Sequence, residues 1–125
     1  MAATYTQVTL QDMDTFLKRA FRSLRPERGS QRGEITYDLF LSPTTVIRVF
    51  TSIGESRDSG AQVGEDAIRI LLFSLKKGRP LKPGKAPIVK RTQNWRDSLK
   101  DRIEDYLEAY SDHEEAIEAG AFINW

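Results

Sequence analysis

Residues that commonly carry catalysis or bind metals are few in this sequence, and they do not form a recognisable pattern. Cysteine is absent, which excludes thiolate metal sites, cysteine nucleophiles and disulfides. The single histidine, His113, lies in the acidic run Asp112–Glu115. A metal site needs several ligands that converge from different elements, so we interpret His113 as an exposed residue near the start of a helix.

Acidic residues of the predicted C-terminal helix could hold magnesium, which prefers carboxylate oxygens. Asp101, Asp105 and Glu108 share one helical face, and Glu104 lies beside them. These positions alternate with the apolar stripe of the same helix, so a solvated helix surface is the simpler interpretation.

A metal-dependent nuclease is a weaker alternative function. It would combine Asp38 or Asp66 with Glu65 and Lys90, but the spacing of these residues is not specific to one chemistry. The sequence contains neither a Walker-type phosphate loop nor a dinucleotide fingerprint. We therefore favour a protein that is not an enzyme, and we predict no cofactor and no metal site.

Charge is segregated along the chain, although the net charge is only +1. Residues 76–100 include nine basic residues and one acid, so their net charge is +8. Residues 101–125 include one basic residue and eight acids, so their net charge is −7. A basic segment of this density can follow a phosphate backbone, and an aromatic ring within it can stack on a base. The predicted nucleic-acid contacts are Lys76, Lys77, Arg79, Lys82, Lys85, Lys90, Arg91, Trp95 and Arg96. The alternative is a solvated loop that is balanced by the acidic C-terminal residues.

Strand alternation separates two sets of side chains on a predicted sheet. One set is apolar and should face the helices: Ile35, Tyr37, Leu39, Leu41, Ile47, Val49, Ile68, Ile70 and Leu72. The other set combines aromatic rings with two arginines: Thr36, Asp38, Phe40, Val46, Arg48, Phe50, Arg69, Leu71 and Phe73. An open face of this kind can hold single-stranded nucleic acid, because rings stack on bases while guanidinium groups contact phosphates.

A half-covered sheet face is the competing interpretation of the second set. The arginines would then pair with Asp38 or Asp66, and the phenylalanines would pack under a loop or a partner. Each set of side chains can share one sheet face only if the strands are aligned in a particular register. This needs a first hairpin loop of odd length, such as Pro43–Thr45, because an even loop would carry Arg48 into the core.

An N-terminal amphipathic helix is predicted from Leu10 to Leu24, with Thr9 as its N-cap and Pro26 as its stop. Its apolar residues recur with the period of a helix that faces a core. Its last turn is basic, with Lys18, Arg19, Arg22 and Arg25. We interpret these cations as a complement to the helix dipole.

The middle of the chain predicts three strands, Glu34–Leu41, Thr45–Ile53 and Asp66–Leu75, and a short edge strand within Ala86–Lys90. Polar, glycine-rich and proline-rich stretches connect them. We expect a polar loop at Glu27–Gly33, exposed loops at 54–65 and 76–85, and a flexible N-terminus at 1–7. Consecutive strands with short links favour an antiparallel sheet.

A second amphipathic helix is predicted from near Thr92 to Tyr110. Ser111 then recaps the chain, and a short helix from Asp112 to Ala119 should end at Gly120. The sequence therefore predicts a single α+β domain over residues 1–125, with three or four antiparallel strands and with helices mainly on one sheet face.

Residues 111–125 combine an acidic short helix with an apolar tail. The stretch Asp101–Trp125 resembles the tails of bacterial and phage single-stranded DNA-binding proteins, although its acids lie on predicted helices. The resemblance implies that Phe122, Ile123 and Trp125 recruit a protein partner. The alternative is that Phe122 and Trp125 dock on the core.

The charge map and the aromatic sheet face favour a small nucleic-acid-binding protein, preferably of single-stranded DNA or RNA. The alternative is a protein-interaction module, such as a regulator, inhibitor or adaptor, that uses the open sheet face or the apolar tail. A homo-oligomer is compatible with both. No apolar run approaches the roughly 20 residues that span a membrane, and residues 1–7 show no signal peptide. We therefore expect a cytoplasmic location and no membrane partner.

Overall fold

The computed structural model describes residues 6–54, 67–81 and 86–121. Within these ranges the chain forms two α-helices and an antiparallel sheet, which confirms the α+β class. The helices are α1 (Leu10–Ala20) and α2 (Trp95–Glu118), and a 3₁₀ turn (Arg22–Leu24) follows α1. The strands are β1 (Glu27–Gln31), β2 (Glu34–Ser42), β3 (Thr45–Gly54), β4 (Ala67–Ser74), β5 (Arg79–Pro80) and β6 (Ile88–Lys90).

The sheet has the order β1-β2-β3-β4-β5, and β6 also pairs with β4. The predicted strands β2, β3, β4 and β6 are confirmed. The short strands β5 and β6 pair with opposite ends of β4, at Phe73–Ser74 and at Ala67–Arg69. The prediction of an exposed loop over 76–85 is therefore wrong for residues 79–81. Residues 79–80 form β5, which pairs with β4, and Leu81 is fully buried.

Strand β1 corrects the polar loop that was predicted at Glu27–Gly33. Every residue of β1 is exposed, so the strand has no apolar alternation that a sequence could reveal. Its ladder with β2 holds it in place, from Glu27 opposite Asp38 to Gln31 opposite Glu34. Arg32 and Gly33 both have positive φ, 53° and 84°, as a two-residue hairpin turn requires.

The first predicted hairpin has a two-residue turn, because Ser42 pairs with Thr45. The predicted odd loop length was therefore wrong. The register shifts at Leu41, so that Phe40 pairs with Val46 and the faces align as predicted. A bulge adds one residue to one strand. The extra residue turns the following side chains to the opposite face from the one that an even turn alone would give them.

The core lies between the first set of strand residues and the two helices. Met13 and Leu17 of α1 and Leu99 and Ile103 of α2 are fully buried in the same cluster as the apolar strand residues. The hydroxyl of Tyr106 donates to the carbonyl oxygen of Ile70 at 3.4 Å. Burial raises the pKa of this phenol to about 12.

A long and a short helix were predicted here, and the structure joins them in one element, α2, that is kinked near the predicted break. It continues past Ser111, and its only non-helical backbone angles are at His113 (φ −130°, ψ 28°). The predicted end at Gly120 is confirmed, since its φ of 81° suits glycine after a helix. The predicted break is thus present as a kink two residues after Ser111, and the helix continues beyond it because Ile117 packs in the core.

Hydrogen bonds to the carboxylate of Glu118 connect the end of α2 to the β2–β3 turn. The hydroxyls of Ser42 and Thr44 donate to Oε1 at 2.6 Å and 3.2 Å, and the hydroxyl of Thr45 donates to Oε2. Burial alone would raise the pKa of Glu118, but the hydrogen bonds from these hydroxyls and from Tyr110 outweigh it. The net result is a lowered pKa.

We expect Glu118→Gln to destabilise the fold by about 1–2 kcal/mol at neutral pH, because it removes the charge that three hydroxyls solvate. A carboxylate whose pKa is lowered on folding stabilises the protein above its unfolded pKa, and this contribution is lost as pH falls through the folded value. The deficit should therefore shrink below the ordinary carboxyl pKa of 4.5. Urea unfolding at about pH 7 and about pH 3 measures it. Glu115→Gln, on the exposed side of the same helix, is the control, and an equal pH-independent loss in both variants would contradict the role of Glu118.

We expect Thr9→Ala to lower the free energy of unfolding by about 1 kcal/mol. The Thr9 hydroxyl accepts from the Asp12 amide, and the Asp12 carboxylate accepts from the Thr9 amide, both at 3.0 Å. This capping box confirms the predicted helix start. Thr15→Ala changes an exposed residue within the same helix and should be neutral or slightly stabilising. Equal urea midpoints for the two variants would show that the cap contributes nothing.

Candidate functional site

Arg48 and Arg69 emerge on the same sheet face, as predicted, because Arg48 and Phe50 are two residues apart on β3 and Phe50 pairs with Arg69. The guanidinium of Arg48 makes two hydrogen bonds to Asp38, from Nε to Oδ1 at 2.8 Å and from Nη2 to Oδ2 at 3.1 Å. Its carbon Cζ lies 4.2 Å from the ring centroid of Phe73. The arginine side chain is only 9% exposed, so the pair is mostly buried.

Arg69 has a similar but more open environment. Its guanidinium pairs with Glu34 and lies 4.8 Å from the centroid of the Phe50 ring. Glu34 also accepts the amide hydrogen of Ser52 at 2.8 Å. Each arginine is thus held between a carboxylate on β2 and a phenyl ring on a neighbouring strand.

We call the face formed by the second set of strand residues the second sheet face, and the charges of its arginines are neutralised by acids. Each of its two arginines has an acidic partner. Arg48 pairs with Asp38, as the competing interpretation of the sequence predicted, whereas Arg69 pairs with Glu34, which that interpretation did not name. Asp66 lies outside the described residues. Phe40 and Phe50 are half-buried beside these pairs. A phosphate that approached either arginine would have to compete with a carboxylate already bonded to it.

Two predicted contact residues lie inside the protein. Arg91 is fully buried, and its Nη1 donates to the carbonyl oxygen of Thr51 at 2.9 Å. Trp95 is 1% exposed and packs against Phe16 of α1, with the two ring centroids 5.5 Å apart. Both side chains serve the packing of this fold, so neither presents a surface to a ligand here.

The other residues of the predicted basic segment are dispersed. Lys76 and Lys77 are exposed in the turn after β4, whereas exposed Lys90 pairs with Ala67 at the other end of β4. An eight-residue strand spans roughly 25 Å. Arg79 is half-buried and donates to the carbonyl oxygen of Gly120 at 3.0 Å. Lys82 and Lys85, like the tail residues Phe122, Ile123 and Trp125, lie outside the described residues.

A denser group of cations lies on α1, on the 3₁₀ turn that ends at Arg25 and on the start of α2, and we call it the basic strip. It lines two adjoining surface depressions that share Thr15 and Arg19, one between α1 and the start of α2 and one at the C-terminal end of α1. All six side chains are exposed. The basic strip consists of Lys18, Arg19, Arg22, Arg25, Arg96 and Lys100.

Few carboxylates neutralise the basic strip. Asp12, Asp14 and Asp97 line the same depressions, which leaves six bases against three acids, a net charge of +3. Asp14 pairs with Lys18 at 3.1 Å, and Asp12 lies 4.0 Å from Arg96. The other four cations form no ion pair within the described part of the chain. Their charge is therefore available to an external anion.

Sequence interpretation found Arg96 but assigned the α1 cations to the helix dipole alone. That explanation covers Lys18 and Arg19, which lie in the last turn of α1. It does not cover Arg96, because the first turn of α2 is the positive end of its dipole. Only the packing of α1 beside α2 brings these cations onto one surface.

The carboxylate and histidine candidates remain on the surface of α2. Asp101, Glu104, Asp105, Glu108 and His113 are all exposed. Within residues 6–54, 67–81 and 86–121, no three histidine or acidic side chains are placed to hold a metal ion. Glu65, a member of the weaker nuclease alternative, lies outside these ranges.

Comparisons with known proteins do not assign this chain to a family. No family model, curated protein or solved structure matches it. No helix of the described residues is both long and apolar enough to cross a bilayer.

We expect Asp38→Asn to lower the free energy of unfolding by about 2 kcal/mol, because it leaves the guanidinium of Arg48 largely buried without its counter-charge. Asp14→Asn breaks an exposed pair on α1 and should cost about 0.5 kcal/mol or less. Both values come from urea unfolding at neutral pH. If the two substitutions cost the same, the pair on the second sheet face is not a structural ion pair.

Proposed function

We propose that this protein binds nucleic acid through the basic strip. The observation that carries the proposal is the convergence of six exposed cations from α1, the 3₁₀ turn that follows it and the start of α2, four of them without an ion-pair partner among the described residues. Phosphate groups supply most of the affinity in non-specific nucleic-acid binding. A surface with net positive charge can therefore bind a phosphate backbone without further contacts.

The type of cation supports a phosphate ligand. Four of the six residues in the basic strip are arginines. A guanidinium group presents several N–H donors in a planar fork, which suits two oxygens of one phosphate. Such contacts position a nucleic acid but do not distinguish bases, so the proposal includes no base preference.

A second candidate function is protein interaction through the second sheet face. Phe40, Phe50, Leu71 and Phe73 are each partly exposed there, and the adjacent arginines are neutralised by acids. Aromatic residues with paired charges are common at protein interfaces. This face is better suited to a protein than to a phosphate backbone, because its net charge is close to zero.

We expect the triple variant Arg19→Ala, Arg22→Ala and Arg25→Ala to bind an oligonucleotide about tenfold or more weakly at low salt, because three phosphate contacts and their released counterions are lost. The slope of log affinity against log salt should fall by about one unit per contact. Fluorescence polarisation with a labelled oligonucleotide, over a series of salt concentrations, measures both quantities.

The matched control removes three exposed cations elsewhere, Arg32, Lys76 and Arg102, by the same change to alanine. It lowers the net charge equally but leaves the basic strip intact. Thermal unfolding should show that both variants fold. If the control weakens binding as much as the triple variant does, the interaction reflects overall charge and not this surface.

A further inference from the structure

Phe16 brings an aromatic ring to the surface within the basic strip. The depression between α1 and the start of α2 is lined by three cations and by this ring: Arg19, Arg96, Lys100 and Phe16. Phe16 is only partly buried, whereas Trp95 beside it is 1% exposed. Part of the Phe16 side chain is therefore accessible at the surface where the cations converge.

The ring lies close to an arginine from each helix. Residues three apart share a helix face, so Arg19 lies next to Phe16 on α1. The ring centroids of Phe16 and Trp95 are 5.5 Å apart, and the guanidinium carbon of Arg96 lies 4.5 Å from the Trp95 centroid. The side chain of Arg96 is still 51% exposed. Two exposed guanidinium groups thus accompany the ring, and each can contact a phosphate.

The depression has room for a planar group beside Phe16. Its volume is about 510 Å³, and clefts that hold small ligands measure roughly 300–1,000 Å³. The rings of Phe21 and Trp95 are inclined to the Phe16 ring by 85° and 68°. Neither of these rings therefore takes the parallel, stacked position on Phe16 that a base would occupy.

We infer that Phe16 stacks on an unpaired base while the surrounding cations hold the adjacent phosphates, so that the ligand of the basic strip is a single-stranded nucleic acid. This inference rests on the proposed function. Aromatic side chains within a positively charged groove are the usual basis of single-strand binding, because every base has a face that can stack. A base in a duplex would first have to leave its own stack, which costs energy.

The rings of the second sheet face are less suited to this role. Phe40, Phe50 and Phe73 are also partly exposed, but the arginines beside them are neutralised by Asp38 and Glu34. A base that stacked there would have no free cation for its phosphate among the described residues of that face. Phe16 is therefore the better candidate for a ring that acts together with phosphate contacts.

The test measures the contribution of the ring separately from that of the cations. The full chain is titrated, over a series of salt concentrations, with four labelled probes of equal length: a DNA single strand, the same strand as RNA, the DNA duplex and an abasic DNA strand. We expect the unchanged protein to bind the single strands more tightly than the abasic strand and the duplex, because only unpaired bases can reach Phe16.

We expect Phe16→Leu to bind the single strands about tenfold more weakly, since this is a typical effect of losing one stacked base. Its binding of the duplex and the abasic strand should not change. The slope of log affinity against log salt should also stay the same, because that slope reports phosphate contacts. The triple variant Arg19→Ala, Arg22→Ala and Arg25→Ala should instead weaken binding of all four probes and lower the slope.

Two further variants are controls, since Phe16 also packs against the core. Phe16→Tyr keeps an aromatic ring and should bind the single strands as the unchanged protein does. Phe50→Leu removes a ring from the second sheet face and should also bind them normally. Thermal unfolding shows which variants fold. If Phe16→Leu does not fold, the unchanged protein is photocrosslinked to a strand that carries iodouracil, and mass spectrometry should locate the crosslink at Phe16.

The outcomes separate the inference from the proposed function. A loss of single-strand affinity in Phe16→Leu that Phe16→Tyr does not show, or a crosslink at Phe16, supports the inference, and the DNA and RNA arms show which strand is preferred. The inference is overturned if the abasic strand or the duplex binds as tightly as the single strands, if Phe16→Leu binds them normally, or if crosslinks form only at other residues. Salt-dependent binding through the basic strip would survive each of these results. Absence of binding to all four probes at low salt overturns both.

Discussion

The pairing of β2 with β3 determines which side chains of the sheet are buried. Because side chains alternate along a strand, a slip of one residue would exchange the two faces and carry Arg48 into the core. The two-residue turn at Pro43 and Thr44 would produce that slip, and the extra residue Leu41 reverses it. Both helices pack on the apolar face that this register creates. The position of α1 beside α2, and hence of the basic strip, depends on it.

Arginine occupies three different environments in this fold, and they decide which charges are available. Arg48 is held by a carboxylate and a ring, and Arg91 is buried against a backbone carbonyl. Arg19 and Arg22 are exposed and form no ion pair with a described residue. A count of charges along the sequence gives these residues equal weight. Their capacity to bind an anion differs because desolvation and existing partners reduce what the buried arginines can offer.

Local sequence patterns predicted the parts of the fold that depend on burial of an apolar face. Alternation located β2, β3 and β4, and the Thr9 cap located α1. Strand β1 could not be found in this way, because its five exposed residues include no apolar side chain that could alternate, and its ladder with β2 depends on the fold. The burial of Arg91 and Trp95 was missed for a related reason. It depends on how β6 and α2 pack on the sheet, which no short pattern records.

Short sequence patterns also could not predict which side chains of the candidate site share a surface. The sequence predicts one site that combines aromatic residues with cations, because both lie in neighbouring stretches of chain. The fold places the half-exposed rings of the strands on one side of the sheet, and on the side that the helices cover it places the cations that form no ion pair with a described residue. These surfaces differ in charge and are separated by the core. A nucleic acid on the basic strip would leave the second sheet face accessible, so the two candidate functions do not exclude each other.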